Sequence, residues 1–229
     1  MRLLFIRHAE PDYAHDCLTE TGREQARQAA LRLSGEKITK IYSSPNGRAR
    51  ETAGYTAAQF GLPVNVLDFM HEIDWGDLSG GTMRNDGHPW SLSDLMITDE
   101  DLLLAACDWR SHPYFKNNKA LRDYDYVVEH FDGFLDECGY RREGNRYLCL
   151  QPSSETVALF SHGGSGACAL SRALNLSFPY MCSVLPYDFT SVIVLNFPST
   201  PGSYVFPRVE LFNDARHIYT ADRGPQFAR

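Results

Sequence analysis

Two apolar runs in this chain end in a histidine. Arg2-Leu3-Leu4-Phe5-Ile6 runs into Arg7-His8, and Thr156-Val157-Ala158-Leu159-Phe160-Ser161 runs into His162-Gly163-Gly164. Each run reads as a buried strand, and in open α/β sheets ligands bind at the carboxyl ends of the strands. An arginine presents a planar fork of donors suited to phosphate or carboxylate, and a histidine can act as nucleophile, base or acid near neutral pH. A third stretch, Ser44-Pro45-Asn46-Gly47-Arg48, has turn chemistry between a strand and a helix, which puts Arg48 in the first helical turn. Anions are already favoured there, and an arginine strengthens that preference. Glu72 follows a further short strand and is within reach of the same crevice, with Asp74 and Asp77 close by in sequence.

The elements needed to hold these residues can be read from the surrounding pattern. Ala26, Ala29, Ala30 and Leu33 mark one face of a helix ending near Ser34-Gly35, with Thr21 and Glu24 at capping-box spacing. Strands follow at Lys40–Ser43 and Pro63–Leu67, the latter an edge candidate because of its proline. A helix from Ser165 to Leu174 succeeds the second histidine. This βαβ alternation predicts an α/β fold, a three-layer sandwich whose mostly parallel central sheet is flanked by helices.

Residues 81–150 break the alternation and read as a mainly helical insertion, a cap subdomain within one 229-residue domain. Thr98 and Asp101 suggest a helix start with Leu102, Leu103, Ala106 and Trp109 inward, and a stronger helix spans about Ala120 to Glu137. Arg141 to Leu150 reads as a hairpin turning at Gly144-Asn145. The aromatics Trp90, Trp109, Tyr114 and Phe115 could line a substrate pocket, but the first expectation is that they pack the insertion onto the core. Ser191–Phe197 and Tyr204–Phe212 suggest a closing hairpin, and 220–229 a frayed end.

Composition narrows the function classes. A net charge of -7 argues against a nucleic-acid partner. No apolar stretch approaches the ~20 residues of a membrane helix, and the first apolar run has no signal-peptide flank, so the expected location is cytoplasmic. Six scattered cysteines form no C-x-x-C pair, and eight histidines show no H-E-x-x-H spacing. Neither a disulfide framework nor a metal site is expected.

Together these stretches resemble the histidine phosphatase superfamily, the phosphoglycerate-mutase-like group. The matching pieces are Arg7-His8; Leu18-Thr19 with Gly22 and Gln25-Ala26; Ser44-Pro45 with Arg48-Ala49 and Thr52-Ala53; Glu72 with Gly76 and Gly80; and Ser161-His162-Gly163-Gly164. They cover about 1–80 and 153–217. The resemblance implies a cofactor-free, metal-independent phosphohydrolase acting on a small phosphorylated metabolite. His8 would be the nucleophile, attacking as neutral imidazole. Arg7, Arg48, a protonated His162 and Gly163 would bind the phosphoryl group, and Glu72 would be the proton donor, a role that Asp74 or Asp77 could take instead.

Two positions depart from the family pattern: Ala9 stands where glycine is usual, and Ala14 where an asparagine often helps to hold phosphate. A lost contact there could come from Tyr13 or His15. Two alternatives to hydrolysis remain, a phosphoglycerate-mutase-type phosphotransferase and a non-catalytic phospho-ligand binder. Ile73-Asp74-Trp75, in place of the Arg-His-Tyr that follows the glutamate in true mutases, favours hydrolysis.

Overall fold

Side chains of a strand alternate between the two faces of its sheet, and here both faces are apolar. In β1 (Arg2–Arg7), Leu4 and Ile6 pack with one buried cluster and Leu3 and Phe5 with another. A strand buried on both sides needs helices above and below it. The computed structural model describes residues 1–219, so the expected frayed end at 220–229 lies outside the described residues.

After β1 come a small ribbon, β2 (Pro11–Asp12) and β3 (Cys17–Leu18), then α1 (Glu20–Leu33), β4 (Lys40–Ser43), α2 (Gly47–Phe60) and β5 (Val64–Val66). The middle of the chain contributes α3 (Pro89–Thr98), α4 (Lys119–Glu137) and the hairpin β6 (Tyr140–Glu143) and β7 (Arg146–Cys149). The last part holds β8 (Thr156–Ser161), α5 (Gly163–Leu174), α6 (Phe178–Ser183), β9 (Val192–Asn196), β10 (Tyr204–Val205) and β11 (Arg208–Asp214).

The main sheet has the order β11-β9-β1-β8-β4-β5. β1, β8, β4 and β5 run parallel, while β9 and β11 pair antiparallel at one edge. On one face, Leu33 of α1 and Ala53 and Ala57 of α2 pack with Ile6 and Phe160; on the other, Phe131 of α4 and Ala167 of α5 join Phe5 and Leu159. Leu92, Phe115 and Phe131 from the 81–150 segment belong to this second cluster. The three-layer, mostly parallel architecture is the one predicted. Among the described residues no helix is long and apolar enough to cross a membrane, and all six cysteines are free.

Several local expectations are corrected. α1 is capped by Thr19, whose Oγ1 accepts the Gly22 N–H at 3.0 Å, and not by Thr21. The Thr19 hydroxyl is also tied to Glu10 Oε1 at 2.7 Å, a tertiary anchor with no counterpart in local spacing. No helix begins at Thr98 or Asp101: α3 starts nine residues before Thr98, with Pro89 in its first turn, and Asp101 has φ of 54°. A proline preset for the first turn starts the helix early, and the left-handed residue prevents its renewal. Leu104, Trp109 and Phe115 are buried from turns instead. The Tyr204–Phe212 strand is divided around Pro207, which has no N–H to donate. β10 joins β7 in a small three-stranded sheet, and β11 joins β9 in the main one.

Candidate active site

Register brings the two histidines together. Arg7 is paired with Ser161 and Ser43 with Phe160, so β1, β8 and β4 end level, and the next residues are His8, His162 and Ser44. The imidazole centroids of His8 and His162 lie 5.0 Å apart. Both rings are almost wholly buried.

His8 has a defined tautomer. Its Nδ1 lies 2.7 Å from the carbonyl oxygen of Ala9, which can only accept, so Nδ1 carries the proton and Nε2 keeps its lone pair. Burial, followed by the charges of Arg7 and Arg48, pushes the His8 pKa well below the ordinary histidine value. The ring is neutral, as expected for a nucleophile.

His162 departs from expectation in its charge. Its Nε2 lies 2.7 Å from Ser44 Oγ, and that hydroxyl donates to Asn46 Oδ1 at 3.0 Å, so His162 Nε2–H donates to the serine. Nδ1 is then the unprotonated nitrogen, buried without a protein partner among the described residues. Burial, with His8, Arg48 and Arg7 as neighbours, holds this pKa well below the ordinary value. That direction favours the neutral ring, where the resemblance implied a protonated one.

Arg7 Nη1 donates to the Tyr187 carbonyl at 2.8 Å, and its guanidinium carbon lies 4.5 Å from the centre of the Phe189 ring. Arg48 is buried in the first turn of α2 and donates from Nη1 to Asp16 Oδ1 at 2.6 Å. The other Asp16 oxygen accepts the Gly47 N–H at 2.6 Å. Burial pushes the Asp16 pKa up, but the Gly47 N–H and Arg48 outweigh it, and the net direction is down. Gly47 is required: a Cβ there would stand 2.1 Å from the Asp16 carbonyl oxygen.

Glu72 is seated on the N-terminus of α5. Its Oε1 accepts the backbone N–H groups of Gly164 and Ser165, both at 3.0 Å, and that of Ile73 at 3.0 Å. Desolvation raises its pKa despite these bonds, which disfavour protonation. Asp74 and Asp77 have other partners: Asp74 pairs with Lys119 at 3.2 Å, and Asp77 Oδ1 accepts the N–H groups of Ser79 and Gly81.

Glu72, Arg7 and Gly163 line a pocket of about 460 Å³ with Tyr13, Trp75, His88, Trp90 and Phe189. Trp90 serves both expected roles, lining the pocket and packing against the core, whereas Trp109 and Phe115 are core. Tyr13 is over Arg48, 5.4 Å from ring centre to guanidinium carbon, and His15 is turned to solvent against Asp12. Ala9 causes no backbone strain: it is not in the left-handed region, and its N–H donates to Thr52 Oγ1 at 3.1 Å. Among the described residues no three His, Cys, Asp or Glu side chains are grouped to hold a metal.

Sequence reading missed Asp16, Ser44 as a histidine partner, Tyr187 and Phe189. Tyr187 lies behind the site: its hydroxyl is 2.9 Å from the carbonyl oxygens of both His162 and Gly163. A Cβ on Gly166 would come within 2.3 Å of that hydroxyl. The only local signal was the glycine beside Arg48 and the clustered glycines after His162, each marking a close approach whose partner is distant in sequence.

Comparison with known proteins identifies the family and the fold. Residues 3–92 match the profile of the histidine phosphatase superfamily, branch 1. The adenosylcobalamin/alpha-ribazole phosphatase of Escherichia coli is 30% identical over 147 residues, 60% of this chain and 68% of that protein. A putative phosphoserine phosphatase 2 of Hydrogenobacter thermophilus is 30% identical over 142 residues, 57% and 64% of the two chains. A probable phosphatase of Schizosaccharomyces pombe matches at 32% identity over only 32% of its length, so the chain spans between about a third and two thirds of these relatives. Among solved structures, phosphoserine phosphatase from Entamoeba histolytica has the same fold, with a TM-score of 0.62 over 95% of this chain and 99% of that one, at 21% identity. The chain belongs to the histidine phosphatase superfamily.

Proposed function

We propose that this protein is a phosphomonoester hydrolase that works through a phosphohistidine on His8. The observation that carries the reading is the Nδ1–H bond from His8 to the Ala9 carbonyl, which keeps Nε2 unprotonated and fixes the ring. His8 Nε2 attacks phosphorus, the bond from phosphorus to the ester oxygen breaks, and that oxygen takes the proton of Glu72. Water then attacks phosphohistidine, giving up a proton to the Glu72 carboxylate, and phosphate leaves with His8 restored.

Arg7 and Arg48 stabilise the charge on the phosphoryl oxygens, and the N–H groups at the start of α5 add partial positive charge. The raised pKa of Glu72 suits it to giving up a proton. Neutral His162 enters the reaction with an acceptor at Nδ1, so it takes up the proton of a monoanionic phosphoester and then donates it back as a hydrogen bond to the dianion. Its Nε2–H is held by Ser44 Oγ, so Nδ1 is the nitrogen that takes up that proton.

The mutase alternative lacks support from the pocket wall, where aromatic rings stand in place of further cations. The binder alternative rested on Ala9, whose backbone is unstrained. The test is phosphate release from a panel of phosphomonoesters in chelator, by the parent and His8→Ala. Release that disappears in the variant, with an acid-labile phosphoryl label trapped on the parent, is the expected result. Release that persists in His8→Ala, or that collapses in chelator, overturns the reading.

A further inference from the structure

The wall of the pocket beyond the phosphate site is unusual in composition. Trp75 meets His88 edge to face, with centroids 5.0 Å apart and an interplanar angle of 86°, and His88 meets Trp90 at 5.2 Å and 37°. These three rings form one continuous wall. Trp90 reaches the phosphate end, since a Cβ on Gly163 would lie 3.4 Å from its Cζ2. Tyr13 and Phe189 bound the space from elsewhere, Phe189 beneath Arg7.

Charge is scarce around this space. Among the described residues lining it, Arg7 is the only lysine or arginine and Glu72 the only acid. Desolvation lowers the pKa of His88, which keeps that ring uncharged at neutral pH. A carboxylate or second phosphate on the alcohol half of a substrate would meet Glu72 and ring faces, whose quadrupole is negative, with no further cation to receive it. A flat, uncharged ring would instead replace water against three aromatic side chains.

Taking the hydrolase reading as its basis, we infer that the substrate is the phosphomonoester of an alcohol carrying an uncharged aromatic group, which stacks against Trp75, His88 and Trp90. The volume, about 460 Å³, falls within the range of small-ligand sites and accommodates a ring beside a phosphoryl group. The short aliphatic acids and the bisphosphates are disfavoured by the same wall.

The test compares kcat/KM for benzyl phosphate, 3-phosphoglycerate, phosphoserine and phosphocholine, and in parallel the binding of benzylphosphonate and methylphosphonate. Two of the three tryptophans line the pocket, so intrinsic fluorescence reports binding without turnover. Benzyl phosphate is expected to lead the anionic substrates by about tenfold or more, and benzylphosphonate to bind about tenfold more tightly than methylphosphonate. Trp90→Leu should bring both ratios toward one, and Trp90→Phe should restore most of them, which loss of folding would not do.

Hydrolysis that favours 3-phosphoglycerate or phosphoserine, or favours phosphocholine through a cation over the rings, overturns the inference and leaves the hydrolase reading standing. Preferential benzylphosphonate binding with no turnover of any ester keeps the inference about the ligand and overturns the hydrolase. Equal binding of the two phosphonates overturns the inference whatever the turnover.

Discussion

Asp16 holds Arg48 and the residue before it: one carboxylate oxygen accepts a hydrogen bond from Arg48 Nη1 and the other from the Gly47 N–H, both at 2.6 Å. The arrangement spans 32 residues of sequence and ties the loop after β2 to the first turn of α2. Asp16 itself has φ of 48°, a conformation that aspartate tolerates better than most residues. In the proposed reaction it would be a positioning residue, acting on phosphate through the arginine.

Asp16→Ala should release a buried guanidinium from its orienting partner. Because the carboxylate is 43% exposed, the stability cost is expected to be about 1–2 kcal/mol, below that of a fully buried pair. The affinity for inorganic phosphate should fall about fivefold to tenfold, and Asp16→Asn should recover part of it through the Gly47 bond alone. Phosphate inhibition constants and melting curves check this. Unchanged inhibition in Asp16→Ala would mean that Arg48 needs no help.

Glu72→Gln should separate substrates by leaving group. Alkyl phosphates, whose alkoxide needs a proton, should lose about 10²–10⁴ in kcat, and p-nitrophenyl phosphate much less. The parent's rate on alkyl phosphates should fall as pH rises through the raised pKa of Glu72, because the acid form is the reactive one. In Glu72→Gln that alkaline limb should disappear. Equal losses on both substrate types would assign Glu72 to binding.

Two glycines make opposite predictions. A Cβ on Gly164 would stand 2.4 Å from Ile73 Cγ1 and 2.5 Å from Glu72 Oε1, so Gly164→Ala should displace the glutamate and cost about 1–3 kcal/mol of stability. A Cβ on Gly54, inside α2, meets nothing within 4 Å. Gly54→Ala should therefore stabilise by about 0.5–1 kcal/mol and leave turnover unchanged. Melting temperatures and kcat for the two variants decide the matter.

Stability should decline on mild acidification before the acidic side chains protonate. His8 and His162 have folded pKa values well below their unfolded values, and burial lowers His217 to about 4. In such a case the unfolded chain binds protons that the fold refuses. Their stability is fully present above the unfolded pKa of about 6.5 and is lost as pH falls below it, at up to about 1.4 kcal/mol per unit for each group. Glu72, with a raised pKa, works in the other direction and offsets part of the loss. Denaturant unfolding at pH 7, 6 and 5 should show this decline, and His162→Gln should reduce its slope. An identical slope in the variant would assign the effect to other groups.

Much of this architecture could be read directly from short stretches of chain. The strand at Lys40–Ser43, the edge strand after Pro63 and the hairpin at Gly144-Asn145 needed only alternation, a missing donor and a turn pair. The junctions that carry Arg7, His8, Arg48 and His162 were visible because a buried strand followed by a polar pair is a local pattern. Glu72 was visible as a carboxylate soon after a strand, but its role came only by resemblance, since nothing in its own neighbourhood sets it apart from Asp74 or Asp77 as proton donor. The helix expected at Thr98 failed because Leu102, Leu103, Ala106 and Trp109 have helical spacing without a backbone free to use it: Asp101 turns the chain left-handed, and burial is achieved from turns.

What the sequence by itself determined is therefore the set of candidate side chains, and the strands and helix starts that present them, because those depend on interactions within a few residues. Tertiary structure alone decided their chemical state. The His8 tautomer is local, but its low pKa comes from burial, with Arg7 and Arg48 adding to it; that of His162 comes from burial beside His8 and Arg48; and the seat of Glu72 is the α5 terminus more than ninety residues away. Protonation state and pocket lining are set by what lies within a few ångströms, and in a sheet whose neighbouring strands are not consecutive, those neighbours come from remote parts of the chain.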